Sequence, residues 1–89
     1  MNKTFEAFGQ RWRYVWHEDD ARPHDAETLA EAWERRYGKM LALTQADAAL
    51  DWGDAFLYRF GTRLAIDSYP GNSAIAELDD PATSPEEGT

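Results

Sequence analysis

The sequence predicts a small single-domain α+β fold, with an antiparallel sheet of about four strands and two helices. A chain of 89 residues is long enough for one domain with one core. Segment 25–37 has the caps and apolar stripe of a helix, and alternating residues flank two Phe-Gly-x-Arg strings, which indicates hairpins. A mostly α-helical bundle is the alternative, because apolar residues at helical spacing recur in the same segments.

Residues 4–17 favour a β-hairpin. Segment 11–17 alternates in polarity and is rich in aromatic and β-branched residues. Gly9 would take the first central position of a two-residue turn, which makes Glu6 face Arg13. One face of this hairpin then carries Phe5, Ala7, Trp12, Tyr14 and Trp16. A helix competes, because the apolar residues of this segment are also spaced by three or four.

Residues 25–37 predict an amphipathic helix. Asp25 is a suitable N-cap, Gly38 suits the position after the last turn, and Arg35 and Arg36 suit the negative end of the helix dipole. The stripe that we expect to face the core consists of Ala26, Leu29, Ala30, Trp33 and Tyr37. The neighbouring stripe consists of Glu27, Glu31 and Glu34, which must face water or a partner.

The second half of the chain predicts a short helix over about 45–52, followed by a hairpin. Thr44 could cap the helix, Gly53 would break it, and strands 56–60 and 63–67 would turn at Gly61. The competing interpretation is one long helix that ends at Gly61, although Gly53 would cost it about 1 kcal/mol relative to alanine. A turn at 69–72 and a last short strand or helix at 73–78 complete the domain.

The net charge of −8 is unevenly distributed. Residues 79–89 contain two prolines, four acidic residues and no basic residue, which is typical of a flexible acidic tail. We therefore place the globular domain at 1–78 and the tail at 79–89. The negative charge argues against direct binding to nucleic acid or to an anionic membrane.

Catalytic and cofactor motifs are missing from the sequence. There is no cysteine, the glycines are isolated, and no serine lies in a Gly-x-Ser-x-Gly elbow. His17 and His24 lie near four carboxylates, but their spacing matches no metal-binding motif and is better interpreted as a solvated loop. We expect a protein that is not an enzyme and that has no cofactor and no metal site.

Acidic residues at helical spacing and one aromatic residue are the candidate partner-binding site. Side chains three or four apart on a helix stand about 5–6 Å apart, which is comparable to the spacing of phosphates along a nucleic-acid strand. Trp52, flanked by Asp51 and Asp54, is the ring that we expect to be partly exposed as an anchor. The full set of candidate residues is Glu27, Glu31, Glu34, Asp47, Asp51, Asp54 and Trp52.

These observations predict a non-enzymatic acidic protein that docks on a basic site of a larger, nucleic-acid-handling protein. In size, acidity and lack of a catalytic motif the chain resembles small phage or mobile-element inhibitors, including anti-CRISPR and nucleic-acid-mimic proteins. The alternative is a structural or assembly protein, such as a phage assembly chaperone or an oligomeric subunit, that uses an aromatic face. With no signal peptide and no apolar run of membrane length, we expect a cytoplasmic protein, in the host cytoplasm if viral.

Overall fold

The computed structural model describes residues 3–18, 28–68 and 73–79, which form six β-strands, one α-helix and one short 3-10 turn. The turn is Leu43–Gln45. The other elements, in chain order, are β1 (Thr4–Ala7), β2 (Gln10–His17), α1 (Leu29–Tyr37), β3 (Ala48–Asp51), β4 (Ala55–Phe60), β5 (Arg63–Ser68) and β6 (Ala74–Leu78).

All six strands belong to one antiparallel sheet in the order β1-β2-β6-β5-β4-β3. The last strand therefore lies in the middle of the sheet, between β2 and β5. The prediction of four strands and two helices is wrong, and so is the helical-bundle alternative. The described residues are mostly sheet, with one helix packed on one face.

The predicted helix over 45–52 is replaced by the 3-10 turn and strand β3. Leu50 pairs with Leu57 in β4 and turns toward the core. The 3–4 spacing that suggested a helix is compatible with this strand because the two periods coincide over short segments. Pairing with β4 gives β3 backbone hydrogen bonds along its inner edge, so tertiary contacts override the local pattern. The long-helix interpretation fails too, because Gly61 lies in the turn between β4 and β5.

The predicted hairpin at 4–17 is confirmed, but its register differs. The two central turn residues are Phe8 and Gly9, with φ of 55° and 70°, so Glu6 pairs with Arg11 rather than Arg13. Two positive φ values match the twist of paired strands. An irregularity between Tyr14 and Trp16 shifts the pairing with β6, and Trp16 packs with the helix instead of with Phe5 and Trp12.

The hairpin at Gly61 is also confirmed, as strands β4 and β5 with Phe60 paired to Arg63. Segment 73–78 forms a strand, β6. The predicted turn at 69–72 and residues 80–89 of the predicted tail lie outside the described residues. Asp79 is described: its N–H donates to the carbonyl of Arg11 at 2.9 Å, and its carboxylate lies 3.9 Å from Nε of Arg13.

The helix begins at Leu29 with Thr28 as its N-cap, so Asp25, which lies outside the described residues, is not the cap. Thr28 Oγ1 accepts the N–H of Glu31, and the Glu31 carboxylate accepts the N–H of Thr28. Gly38 ends the helix as predicted, with φ of 71°. Ala32 is buried while Ala30 is exposed, so the core stripe is rotated from the predicted one.

Each face of the sheet has its own apolar cluster. The helix covers one face, which we call the helix face, where Trp33 packs against Phe60 with ring centroids 5.0 Å apart. The other, inner face is filled by Trp12, which is fully buried and donates from Nε1 to the carbonyl of Ala7 at 2.8 Å. The buried residues of the inner face are Ala7, Trp12, Leu57, Leu64, Ile66, Ala74 and Ala76.

The sheet curls into a half-barrel, so that its two outer strands approach each other through side chains. Phe5 in β1 contacts Trp52, just beyond β3, with ring centroids 5.7 Å apart. The guanidinium of Arg59 in β4 lies 5.2 Å from the ring centroid of Phe8 and 3.4 Å from the Gln10 side chain. The contact with Phe5 places the tip of the β3–β4 hairpin at the rim of the half-barrel, and the Arg59 contacts lie at the other end of the same two strands.

Candidate interaction surface

The predicted acidic site is not one surface. Glu31 and Glu34 are exposed on α1, and Glu27 lies outside the described residues. The other four predicted residues surround β3. Asp47, Asp51 and Asp54 are therefore not a second helical stripe, because their segment pairs with β4 as a strand and turn.

Glu31 and Asp47 have roles within the fold. Glu31 completes the helix cap through its bond to the N–H of Thr28, at 2.9 Å. Asp47 accepts from Arg59 Nε at 2.6 Å and from the Gly61 N–H at 2.7 Å. The hydrogen bond from Arg59, followed by that from Gly61, lowers the pKa of Asp47 from its ordinary value. The charge of Asp47 is already matched by Arg59, which makes Asp47 a poor candidate for partner binding.

Asp51, Trp52 and Asp54 lie at the tip of the β3–β4 hairpin. Asp51 Oδ1 accepts the N–H of Gly53 at 2.7 Å, and the N–H of Trp52 donates to the carbonyl of Ala55 at 2.8 Å. Gly53 has φ of 81°, a conformation that glycine adopts readily. These bonds fix a tight turn and hold Trp52 at the rim of the inner face.

Trp52 is 45% exposed, as the sequence predicted. Its contact with Phe5 is edge-on, with an interplanar angle of 73°. Offset and edge-on pairs are the favourable arrangements of aromatic rings, so the contact with Phe5 restrains the indole while leaving much of it in solvent. A restrained, exposed tryptophan loses little side-chain freedom when it binds a partner.

A second exposed ring, Phe56, is not among the predicted site residues. Phe56 is 44% exposed and lies on the helix face of the same hairpin. It pairs directly with Asp51 on β3 and with Asp67 on β5. Alternation along β4 could have placed Phe56 on the face opposite to Leu57. The sequence could not indicate that the helix leaves that end of the face uncovered.

At the other end of the helix face, cations and carboxylates alternate across the strands. Glu77 in β6 pairs with Arg13 in β2 and with Arg63 in β5. Tyr37 donates from its hydroxyl to Glu77 Oε2 at 2.7 Å, and the Arg63 guanidinium lies 3.8 Å from the Tyr37 ring centroid. Burial and the hydrogen bond to Glu77 raise the pKa of Tyr37 to about 12. This cluster fastens the end of the helix to the sheet.

Among the described residues, no group of three or more histidine, cysteine, aspartate or glutamate side chains is arranged to hold a metal ion. His17 lies at the end of β2, with its ring centroid 6.2 Å from that of Tyr14. His24 and several of the carboxylates near it lie outside the described residues. No helix in the described part of the chain has the length and apolar character needed to cross a lipid bilayer.

Comparison with protein-family models, with curated proteins and with solved structures gives no match.

Proposed function

We propose that this chain is a non-enzymatic binding protein that docks on a positively charged site of a larger protein through the tip of its β3–β4 hairpin. The hairpin-tip surface comprises Asp51, Trp52, Asp54, Phe56 and Asp67. The observation that carries the proposal is the exposure, close to one half, of both Trp52 and Phe56 on this one acidic hairpin.

Tryptophan is among the side chains that most often dominate binding energy at protein interfaces, and phenylalanine is enriched there. Trp52 and Phe56 project from opposite faces of the same turn, since Trp52 is at the inner rim and Phe56 is on the helix face. A partner that clasps the turn would bury both rings. Tryptophan that is already restrained by Phe5 is suited to act as the central anchor.

The charge around the rings indicates the sign of the charge on the partner's surface. Asp51, Asp54 and Asp67 are exposed, and no cation of the described residues lies within ion-pair distance of them. Carboxylates at the rim of an interface speed association with a basic surface and disfavour acidic partners. A protein that handles nucleic acid offers such a basic site, in the cytoplasm of the producing cell or of an infected host.

The test is capture from a lysate of the producing cells, with the full chain immobilised. We compare the wild type with Trp52→Ser and with Met40→Ser, a control that removes an exposed apolar side chain (78% exposed) elsewhere in the fold. The proposal expects a retained protein that is lost with Trp52→Ser, kept with Met40→Ser, and released as salt is raised. Equal capture by all three baits would contradict the proposal.

The structural or assembly alternative has one supporting observation. Strands β1 and β3 end the sheet, and neither outer edge pairs with another of the described strands. Such edges can pair with a further chain. Light scattering after size exclusion at several salt concentrations separates the two functions. An oligomer that persists at high salt supports assembly, whereas a monomer at all salt concentrations supports the docking proposal.

A further inference from the structure

We infer that the partner is recognised through an arginine side chain that stacks on Phe56 between Asp51 and Asp67. This inference rests on the proposed function and names the chemistry at one part of the hairpin-tip surface. We call these three residues the Phe56 row. They lie side by side on β3, β4 and β5, because Phe56 pairs directly with Asp51 on one side and with Asp67 on the other.

The pairing register brings both carboxylates close to the ring. Residues directly opposite each other in antiparallel strands have Cβ atoms about 4.5–5.5 Å apart and point to the same face. Asp51 and Asp67 therefore flank Phe56 on the helix face, one on each neighbouring strand. Both carboxylates are exposed, so a cation that enters from solvent reaches the ring and an oxygen together.

The Phe56 ring is supported on one side and open on the other. Its centroid lies 6.4 Å from that of Tyr58, which packs in the cluster under the helix. Phe56 itself belongs to neither buried cluster of the described residues and is 44% exposed. The ring thus lies just beyond the area that the helix covers, where a partner side chain can stack on it.

The same face of the sheet already contains the arrangement that we propose, at the row of Glu77. There Arg63 stacks over an aromatic ring, that of Tyr37, at 3.8 Å, and Glu77, whose carboxylate accepts the Tyr37 hydroxyl, lies directly opposite Arg63 on the neighbouring strand. The Phe56 row has the ring and the carboxylates, while its cation would come from another molecule. In the described residues neither Asp51 nor Asp67 has an ion-pair partner.

Arginine suits this row better than lysine. A planar guanidinium stacks on an aromatic face and donates in two directions at the same time, whereas an ammonium is a compact, strongly hydrated charge. Of the Asp51 oxygens, Oδ1 is engaged by the Gly53 N–H. Oδ2 and both oxygens of Asp67 can accept the hydrogen bonds of an arginine stacked between them.

The experiment is a titration of the isotope-labelled full chain with a hexa-arginine peptide, followed by nuclear magnetic resonance. The variants are Phe56→Leu, which keeps an apolar side chain, and Asp67→Asn. The matched control is Glu34→Gln, which removes an exposed negative charge from the helix. Since Phe56 is an exposed side chain, we expect Phe56→Leu to fold, and unchanged signals of the buried Leu57 and Ile75 would verify this.

We expect the largest chemical-shift changes at the Phe56 row, and a dissociation constant that rises about two- to fivefold with Phe56→Leu. Asp67→Asn should weaken binding by more than Glu34→Gln does, and a hexa-lysine peptide should bind the wild type more weakly than hexa-arginine. The inference is overturned if Phe56→Leu leaves the dissociation constant unchanged, or if the shifts spread evenly over all acidic residues.

Adding the Phe56→Leu bait to the lysate capture separates this inference from the proposed function. If Trp52→Ser loses the partner while Phe56→Leu changes neither capture nor peptide binding, the proposed function stands and the arginine inference fails. If the peptide binds at the Phe56 row but capture does not depend on Trp52, the arginine site stands and the proposed function fails.

Discussion

The carboxylate of Asp47 binds Arg59, with 2.6 Å between Oδ1 and Nε, and its second oxygen accepts the N–H of Gly61 at 2.7 Å. Asp47 thereby links the start of β3 to the turn between β4 and β5. Arg59 continues the connection to the ring of Phe8 and the side chain of Gln10 in the first hairpin. One exposed carboxylate therefore orders an arginine that joins the two edges of the sheet.

Asp47→Asn should lower the melting temperature at neutral pH, and the difference from wild type should shrink in acid. The pKa of Asp47 is lowered in the folded state, first by the hydrogen bond from Arg59. Its stabilisation is complete above the unfolded pKa of about 3.9 and is lost as the pH falls through the folded pKa. Thermal unfolding of both proteins from neutral pH to about pH 2 measures this. A difference in melting temperature that grows in acid would contradict the contact between Asp47 and Arg59. Asp54→Asn, which removes an exposed carboxylate, is the control.

Trp12→Phe should destabilise the fold by about 2–4 kcal/mol. The substitution removes part of a fully buried ring and leaves the carbonyl of Ala7 without the indole N–H that it accepts. Denaturant unfolding measures the loss. Trp52→Phe is the matched control, and because Trp52 is exposed we expect a change within about 0.5 kcal/mol. Equal effects of the two substitutions would refute the placement of Trp12 at the centre of the inner face.

Thr28→Ala should destabilise the protein by about 1 kcal/mol, because the N–H of Glu31 then loses its side-chain acceptor. Thr28→Ser keeps the hydroxyl and should be close to neutral. Denaturant unfolding of the two variants measures the difference. If Thr28→Ala and Thr28→Ser change the free energy of unfolding equally, the Thr28 hydroxyl does not cap the helix.

The same cap affects any charge reversal along the acidic side of the helix. Glu31→Lys removes the carboxylate that accepts the N–H of Thr28, so it changes stability as well as charge. Glu34→Lys changes the charge of an exposed side chain whose carboxylate is outside the cap. We expect Glu31→Lys to lower the melting temperature by more than Glu34→Lys does, and comparable losses would argue against the capping box.

The phenol of Tyr37 should titrate at about pH 12, later than an ordinary tyrosine. Burial is the largest cause, followed by the hydrogen bond to Glu77, and both favour the neutral phenol. Its stabilisation is therefore fully present below the unfolded pKa of about 10 and is lost as the pH rises through about 12. Alkaline ultraviolet titration should lose this late phenol in Tyr37→Phe and shift it earlier in Glu77→Gln. No shift in Glu77→Gln would contradict the contact.

The elements that could be predicted from the sequence are those fixed by neighbouring residues. Gly61 and Gly9 lie in two-residue turns between alternating strands, and local backbone preferences determine such turns. Gly38 ends the helix for the same reason. The error at 45–52 arose because β3 is only four residues long, too short for its apolar spacing to distinguish a strand from a helix.

The sequence alone determined the approximate positions of the turns at Gly9 and Gly61, the helix around Trp33 and the partial exposure of Trp52. Tertiary structure decided the pairing partners of β3 and β6, and with them the Phe56 row, because cross-strand neighbours are distant along the chain. It also decided that Asp47 binds Arg59 while Asp67 stays in solvent. A carboxylate has the same chemistry at every position in a sequence, and only the folded chain determines whether a cation lies beside it.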